Sequence, residues 1–492
     1  MGRHLLEALL VVGLLGCGEG TIGGGDPRSG YPSEADSNGF IPNGEYDGSV
    51  PWVGDDPAAP SASSTNPSNP ASPSTNPSGP SGSTTNPGAG GSEPPFPGDL
   101  PSVGQKFLTS RTTCMAPCAV YFNAQAAESL AWDEVRDARF VWDFDDGGAS
   151  SEGFLGAHVF DQPGTYDVGL AVDDEQWTRT TITVSPPQRT ICVSPSSSFG
   201  DCPSSSSNDH FTSLSAASGQ NHRNAHVLLH RGESFGSVDN FKDQGPTLYG
   251  AYGSGAKPKV TQANEVRMGD QIIWQDLDVS ASRVLNLANW SMLRRVDAHG
   301  TIGGNPQYWI IAYYVDDFFV IDCNATIGDT TSNGAGVYVY QAQRSAFKGN
   351  SLYYQQGGTG HAFRSNGADG FLIQDNVIDD NGSQDILTIR GDNESGSPNT
   401  SGNAYWTLIQ GNEFRGNLVE YKTQYPEANE LVQYLIHEDN AHVDGSSLIL
   451  ATVHDAVVRG NAFIGMRGQG VSVADKSNYY DPENIEIYDN TN

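Results

Sequence analysis

Two arginines close similar phrases in the second half of the chain, His361-Ala-Phe-Arg364-Ser365 and Leu387-Thr-Ile-Arg390-Gly391. If each phrase is a strand and the two lie on consecutive turns of one stacked structure, both guanidinium groups leave the same face. Tyr338, Tyr340 and Lys348 fall on or near the preceding turn. Guanidinium pairs with carboxylates and sulfates, and tyrosine rings stack on sugar faces, so such a patch suits an acidic polysaccharide. Arginine stays protonated and cannot serve as a base, whereas His361 titrates near neutrality and can. The catalytic candidates are therefore His361, Arg364 and Arg390, with Tyr338, Tyr340 and Lys348 as substrate-binding candidates. The competing reading is that the arginines make salt bridges to Asp369, Asp385 or Asp392. A glycosidase would instead need carboxylates facing one groove. The pairs Asp316-Asp317 and Asp379-Asp380 are available, but adjacent carboxylates in a strand or corner point opposite ways, and this reading ranks third.

The elements that must hold these residues repeat. An asparagine ends the strand-like phrases at Asn324, Asn350, Asn376, Asn412, Asn440, Asn461 and Asn490, with spacings of 26, 26, 36, 28, 21 and 29 residues. Self-similarity at that period, with a fixed turn residue, predicts a parallel β-helix. Asn accepts the left-handed conformation of a sharp corner, and its amide can bond to its neighbour up the stack. Each coil carries further strands, such as Val337-Tyr-Val-Tyr340 before Asn350 and Leu448-Ile-Leu-Ala451 before Asn461. The opening, His226-Val-Leu-Leu-His-Arg-Gly232 followed by Tyr252-Gly-Ser-Gly-Ala-Lys-Pro258, resembles the first coils of right-handed parallel β-helix proteins. No capping segment follows Asn490, so a stack over residues 187–492 reads as truncated at its C-terminus.

Residues 102–186 contain Phe140-Val-Trp-Asp-Phe-Asp-Asp-Gly147, His158-Val-Phe160 and Pro163-Gly-Thr-Tyr166, then strict apolar alternation to Val172. This resembles the PKD domain, which implies a small immunoglobulin-like β-sandwich with Trp142, Phe144 and Tyr166 in its core. Asp145 stands where that family usually has Gly. The fold class expected is all-β, a sandwich followed by a right-handed solenoid. Within the solenoid, Leu387-Thr-Ile-Arg390-Gly391, one coil after a basic residue and Ser, resembles the lyase family that includes chondroitinase B and alginate lyases. The resemblance implies that Arg390 assists the leaving oxygen and that calcium neutralises the uronate carboxylate. Arg364-Ser365 stands where the family's Lys-Ser base lies, and the His that follows the family's Arg is missing.

The N-terminus is a separate matter. Arg3 and His4 precede an apolar run too short to span a bilayer, ending in Leu14-Leu15-Gly16-Cys17. That phrase resembles the lipobox of bacterial lipoproteins, which implies cleavage before Cys17, its lipidation, and a place at the outer membrane or cell surface. Residues 18–101, rich in Ser, Pro, Asn and Gly, with Thr-Asn-Pro recurring at 65, 75 and 85, are expected to form a solvated tether. An exported chain meets oxidising conditions, so the close pairs Cys114/Cys118 and Cys192/Cys202 read as disulfides, and Cys323 as a buried small hydrophobe. A formal charge of −32 argues against nucleic acid and anionic lipid surfaces. Contact with the membrane is then expected only through the lipid, and the protein is expected to be monomeric. Two function classes stay open: an eliminating lyase of acidic glycans, or a non-catalytic glycan-binding or adhesion protein.

Overall fold

The computed structural model describes residues 107–492 except 126–129, 174, 205, 237–244, 263–265, 282–284, 303–307, 330–333, 357–359, 382–384, 392–402, 424–430, 467–468 and 475–480. Cys17 and the expected tether lie outside the described residues.

The protein is all-β. The strands Leu108–Thr109, Cys118–Asn123 and Leu155–Phe160 form one antiparallel sheet, and five further strands between Thr113 and Ser185 form a second. Strand alternation puts Trp142, Phe144, Val168 and Leu170 between the sheets, all buried. The Trp142 indole N–H donates to the Gly153 carbonyl at 2.8 Å, and Tyr166 packs its ring, tilted by 33°, on Phe160 of this core, its hydroxyl donating to the Gln162 carbonyl. Asp145 takes the positive φ (56°) that glycine would otherwise supply, and its carboxylate accepts the Asp167 N–H at 2.9 Å. Cys114–Cys118 and Cys192–Cys202 are bonded pairs.

From Arg189 onward the chain winds as a right-handed parallel β-helix. Three parallel sheets of thirteen, ten and nine strands run along it, and from Thr247 onward each coil visits them in that order. Every inward row is apolar: Val320, Phe347, Ile373 and Ile409 stack in register in the thirteen-stranded sheet, and Val337, Phe363, Leu387 and Val419 in the nine-stranded one. One coil departs from this rule. Tyr421, His437 and His442, one from each sheet, point inward and are buried. Tyr421 Oη lies 2.7 Å from His437 Nδ1, His437 Nε2 lies 2.9 Å from His442 Nε2, and His442 Nδ1 lies 3.2 Å from Ser446 Oγ. Each ring therefore has a partner on both nitrogens.

The asparagine ladder sits at the corner between the thirteen- and ten-stranded sheets. The Asn350 amide donates to Val320 O and to Asn376 Oδ1, and that Oδ1 also accepts the Asn350 backbone N–H. Asn376, Asn412, Asn440 and Asn461 repeat the pattern up to Asn490. At its lower end the expectation is corrected. Ser351 pairs with Asn324, so the residue under Asn350 is Cys323, whose N–H donates to Asn350 Oδ1. Asn324 is a neighbour that bonds Asp297 instead. The residue before each ladder position has positive φ, and Asp and Gly alternate there: Asp322, Gly349, Asp375, Gly411, Asp439, Gly460, Asp489.

The sandwich lies along the solenoid. An outward row of the thirteen-stranded sheet, including Leu248, Ile273, Met292, Phe319, Leu372, Leu408 and Ile436, belongs to the sandwich's own apolar cluster rather than to solvent. Beside it a column of positive-φ residues turns one side chain per coil outward. Within it, Trp290 receives Arg111 over its ring at 4.1 Å, and Trp406 and Tyr434 receive Trp132. His226 bonds Ala116 O at 2.7 Å near one end of the seam, and Arg136 pairs with Glu486 at 2.9 Å near the other. Arg294 grips Asp161 through two nitrogens between them.

Candidate functional site

The nine-stranded sheet carries the residues singled out by their chemistry. Tyr338, Arg364, Thr388 and Glu420 form one outward row on successive coils. Tyr313, Tyr340, Asn366, Arg390 and Lys422 form the next outward row. His361 and Asp385 face each other at the start of their strands. The alternation of strand side chains brings these residues together, since Val337, Val339, Phe363, Leu387 and Ile389 between them point into the core. Arg364 and Arg390 thus leave neighbouring coils on one wall, with Arg390 opposite Asn366, two residues beyond Arg364.

His361 Nδ1 lies 3.1 Å from Asp385 Oδ2, and the Thr388 hydroxyl donates to the same oxygen at 3.1 Å. Burial pushes the imidazole down to about 4, and the charges of Arg390 and Arg364 push the same way, against Asp385. The ring is neutral above that pH. Burial alone would raise the Asp385 carboxyl, but the His361 bond and the nearby Lys422 and Arg390 charges hold it below its ordinary value. The result is a neutral imidazole oriented by an ionised carboxylate. Arg364 sits over the Tyr338 ring at 5.3 Å, and its Nε donates to Asn366 Oδ1 at 3.2 Å. Lys422 Nζ pairs with Glu420 at 2.7 Å.

Three expectations need correction. Lys348 is not on this wall: it lies in the thirteen-stranded sheet beneath the sandwich, with Nζ 3.5 Å from Ser151 Oγ, where burial lowers its pKa. Tyr338 and Tyr340 are on the wall but buried, at 5% and 0% exposure, so neither offers an open ring face. The rings stack among themselves, Tyr313 on Tyr340 at 4.6 Å, and the exposed member of the group is Tyr314. Sequence inspection missed Tyr314 because the positive φ that turns it outward leaves no mark beyond a Tyr-Tyr pair. In the sequence Asp385 reads as a salt-bridge partner, and its spacing from Thr388 and Arg390 is the signal that could mark a larger role.

The other candidates have structural partners. Asp316 and Asp317 hold Arg344 at the seam. Asp369 is half-buried at the same seam, beside Tyr121 and Arg344. Asp392 lies outside the described residues. Asp379 and Asp380 face opposite ways, the second buried and the first not. Cys323 is buried, and its thiol is pushed up to about 12 by desolvation. In the sandwich, Asp146 bonds His158 at 2.7 Å and Asp173 accepts the Arg139 N–H. Among the described residues no three His, Cys, Asp or Glu side chains gather to hold a metal ion.

Residues 109–185 match the PKD domain family. No curated protein sequence matches the chain. Solved structures similar to it include a lacto-N-biosidase from Eubacterium ramulus (14% identity, 62% of this chain and 67% of that one, TM-score 0.36). Others are a rhamnogalacturonan lyase (13% identity, 61% and 87%, TM-score 0.34) and a family 28 exopolygalacturonase from Yersinia enterocolitica (7% identity, 76% and 97%, TM-score 0.28).

Proposed function

We propose that this chain acts on acidic polysaccharide at the outer wall of the nine-stranded sheet, as a β-eliminating lyase. The observation that carries this reading is the Asp385–His361 pair beside two arginines on consecutive coils. With Nδ1–H donated to Asp385, His361 keeps Nε2 as the basic nitrogen. In the proposed step Nε2 takes the proton from the carbon next to a uronate carboxylate. The electron pair forms the new C=C bond, the bond to the leaving glycosidic oxygen breaks, that oxygen takes a proton from water, and the His361 imidazolium returns its own proton to solvent. Arg364 and Arg390 balance the charge that builds on the carboxylate, which is electrostatic stabilisation by groups fixed beforehand. If calcium shares that task it would neutralise the same carboxylate. We propose further that the protein is held at the cell surface through a lipid on Cys17, with membrane contact confined to that lipid.

A second reading is favoured by one observation: His361 and Arg390 are each only 8% exposed. In that reading Arg364 and Tyr314 retain a glycan without turning it over. The test is ultraviolet absorbance of unsaturated uronate during incubation with acidic polysaccharides, with and without calcium. A lyase produces the signal, and His361→Gln and Arg390→Ala abolish it. Retention on immobilised polysaccharide without any signal selects the binding protein, and neither signal nor retention ends both readings.

A further inference from the structure

Among the described residues, four aromatic side chains stand on corners with positive φ: Trp290, Tyr314, Trp406 and Tyr434. A bulky residue in that conformation is strained, and such strain persists where the side chain has a task. For three of them the task is visible. Trp290 receives Arg111, and Trp406 and Tyr434 receive Trp132, all at the seam with the sandwich. Tyr314 instead follows the strand Tyr308–Tyr313 of the nine-stranded sheet and is 44% exposed. Its ring is held in place. Tyr313 and Tyr340 meet it at 5.1 and 5.2 Å, near-perpendicular at 72° and 87°, and its backbone N–H donates to the Tyr340 carbonyl at 2.9 Å. Two such neighbours fix the ring plane before any ligand arrives, so a contact made there immobilises little side chain.

The contacts continue across the wall. Tyr340 lies 6.2 Å from Tyr338, and Arg364 sits over Tyr338 at 5.3 Å. Tyr314 and the part-exposed Arg364 therefore belong to one surface, with the buried rings of Tyr338 and Tyr340 as the floor between them. Their strands are two coils apart in the paired rows, which is about 10 Å along the axis. The two ends differ in chemistry. A guanidinium suits a carboxylate, whereas a phenol ring suits the C–H face of a pyranose and asks for no charge.

We propose that the wall grips an acidic glycan at two points, a carboxylate on Arg364 and, about two to three sugar units away, a ring stacked on Tyr314. Tyr314 then makes the site select long chains over short fragments. This rests on the reading that the wall takes acidic polysaccharide, and it holds whether or not the chain is then cleaved. The stacked unit contributes by apolar contact, which salt screens little, whereas the Arg364 contact is ionic and weakens as salt rises.

The experiment titrates the full chain with di- and hexasaccharides of galacturonate, mannuronate, guluronate and glucuronate and follows the heat. His361→Gln is in place wherever the unaltered protein cleaves the oligosaccharide. The hexamer of at least one series should bind about tenfold more tightly than its dimer. Tyr314→Gly keeps the corner, since glycine takes positive φ without strain, and should remove that preference at low and high salt alike. Tyr314→Phe should retain it. If the glycine variant melts early, Tyr314→Asn, also at ease with positive φ, serves in its place. Equal affinity for dimer and hexamer, a preference that survives loss of the ring, or a preference lost in Tyr314→Phe as well would overturn the two-point grip and leave the acidic-glycan reading standing. No binding of any hexamer would overturn both.

Discussion

Asp375 and Gly411 occupy the same corner on consecutive coils, and the Asp375 carboxylate oxygen lies 2.6 Å from where a Cβ on residue 411 would be. Asp322 over Gly349 repeats this at 2.5 Å, and Asp439 stands over Gly460 in the same way, closer still. Positive φ at every corner explains why Asp and Gly are both accepted, and the close approach explains why they alternate. Gly411→Ala should therefore destabilise the protein by about 1–3 kcal/mol, read as a lower denaturant midpoint with an unchanged slope.

The amide ladder makes a complementary prediction. Asn376→Ala removes the acceptor for two Asn350 N–H donors in a buried corner and should cost roughly 1–3 kcal/mol. Cys323→Asn would carry the ladder one coil lower and should raise stability by about 0.5–1.5 kcal/mol. Thermal unfolding of the two variants, shifted in opposite directions, is the check.

The outward apolar row beneath the sandwich should behave as core. Leu372→Ala is expected to cost about 2–5 kcal/mol, although its side chain points away from the solenoid interior. A loss typical of an exposed strand position, within about 0.5 kcal/mol, would show that the sandwich is not docked in solution.

Acid should destabilise the fold through its buried histidines. His361 and His442 are pushed down to about 4 and about 3 by burial, and His437 is also strongly lowered. A histidine whose folded pKa is depressed contributes stability that is complete above the unfolded value near 6.5. That stability is lost as pH falls through the folded one, to the order of 3 kcal/mol for His361. Asp317 and Asp369, raised to about 6, work in the opposite sense and favour the fold as pH falls from about 6 to about 4. A Tyr421→Phe/His437→Leu/His442→Leu variant removes only the histidine contribution of one coil. Its unfolding free energy should fall less steeply than wild type between pH 6.5 and 4.

The proposed catalysis has its own pH signature. Because His361 is neutral down to about 4, the acid limb of any eliminase activity should lie well below the pH 6–7 of an ordinary imidazole. Asp385→Asn should move that limb and lower the rate, while leaving polysaccharide retention intact.

Periodicity made the solenoid legible, because strand, corner and asparagine recur at coil spacing. Register at its lower end was not, since Cys323 and Asn324 are adjacent and the repeat favours the asparagine. The wall with His361, Arg364 and Arg390 followed from strand alternation, which fixes outward neighbours once two strands share a register. Lys348 failed because the chain turns a corner between Tyr340 and Gln343, placing it in a different sheet. Tyr338 and Tyr340 failed because outward is not the same as exposed. The docking of the sandwich left no trace either. In phrases such as Phe319-Val-Ile321 and Ala346-Phe347, successive residues are apolar on both faces, and a run of that kind does not say which face meets the interior and which meets a neighbour.

The contacts from His226 with Ala116 to Glu486 with Arg136 also act as a measuring rod. A parallel solenoid alone sets no limit on its number of turns, since each added coil repeats the last. With a rigid sandwich fastened near both ends, one turn inserted between the fastenings would shift the far contacts by about 4.8 Å, enough to part Arg136 from Glu486 and Arg459 from the Arg136 carbonyl. Coil number in that stretch is therefore set by the length of the clasp, and lengthening the repeat there requires lengthening the sandwich with it.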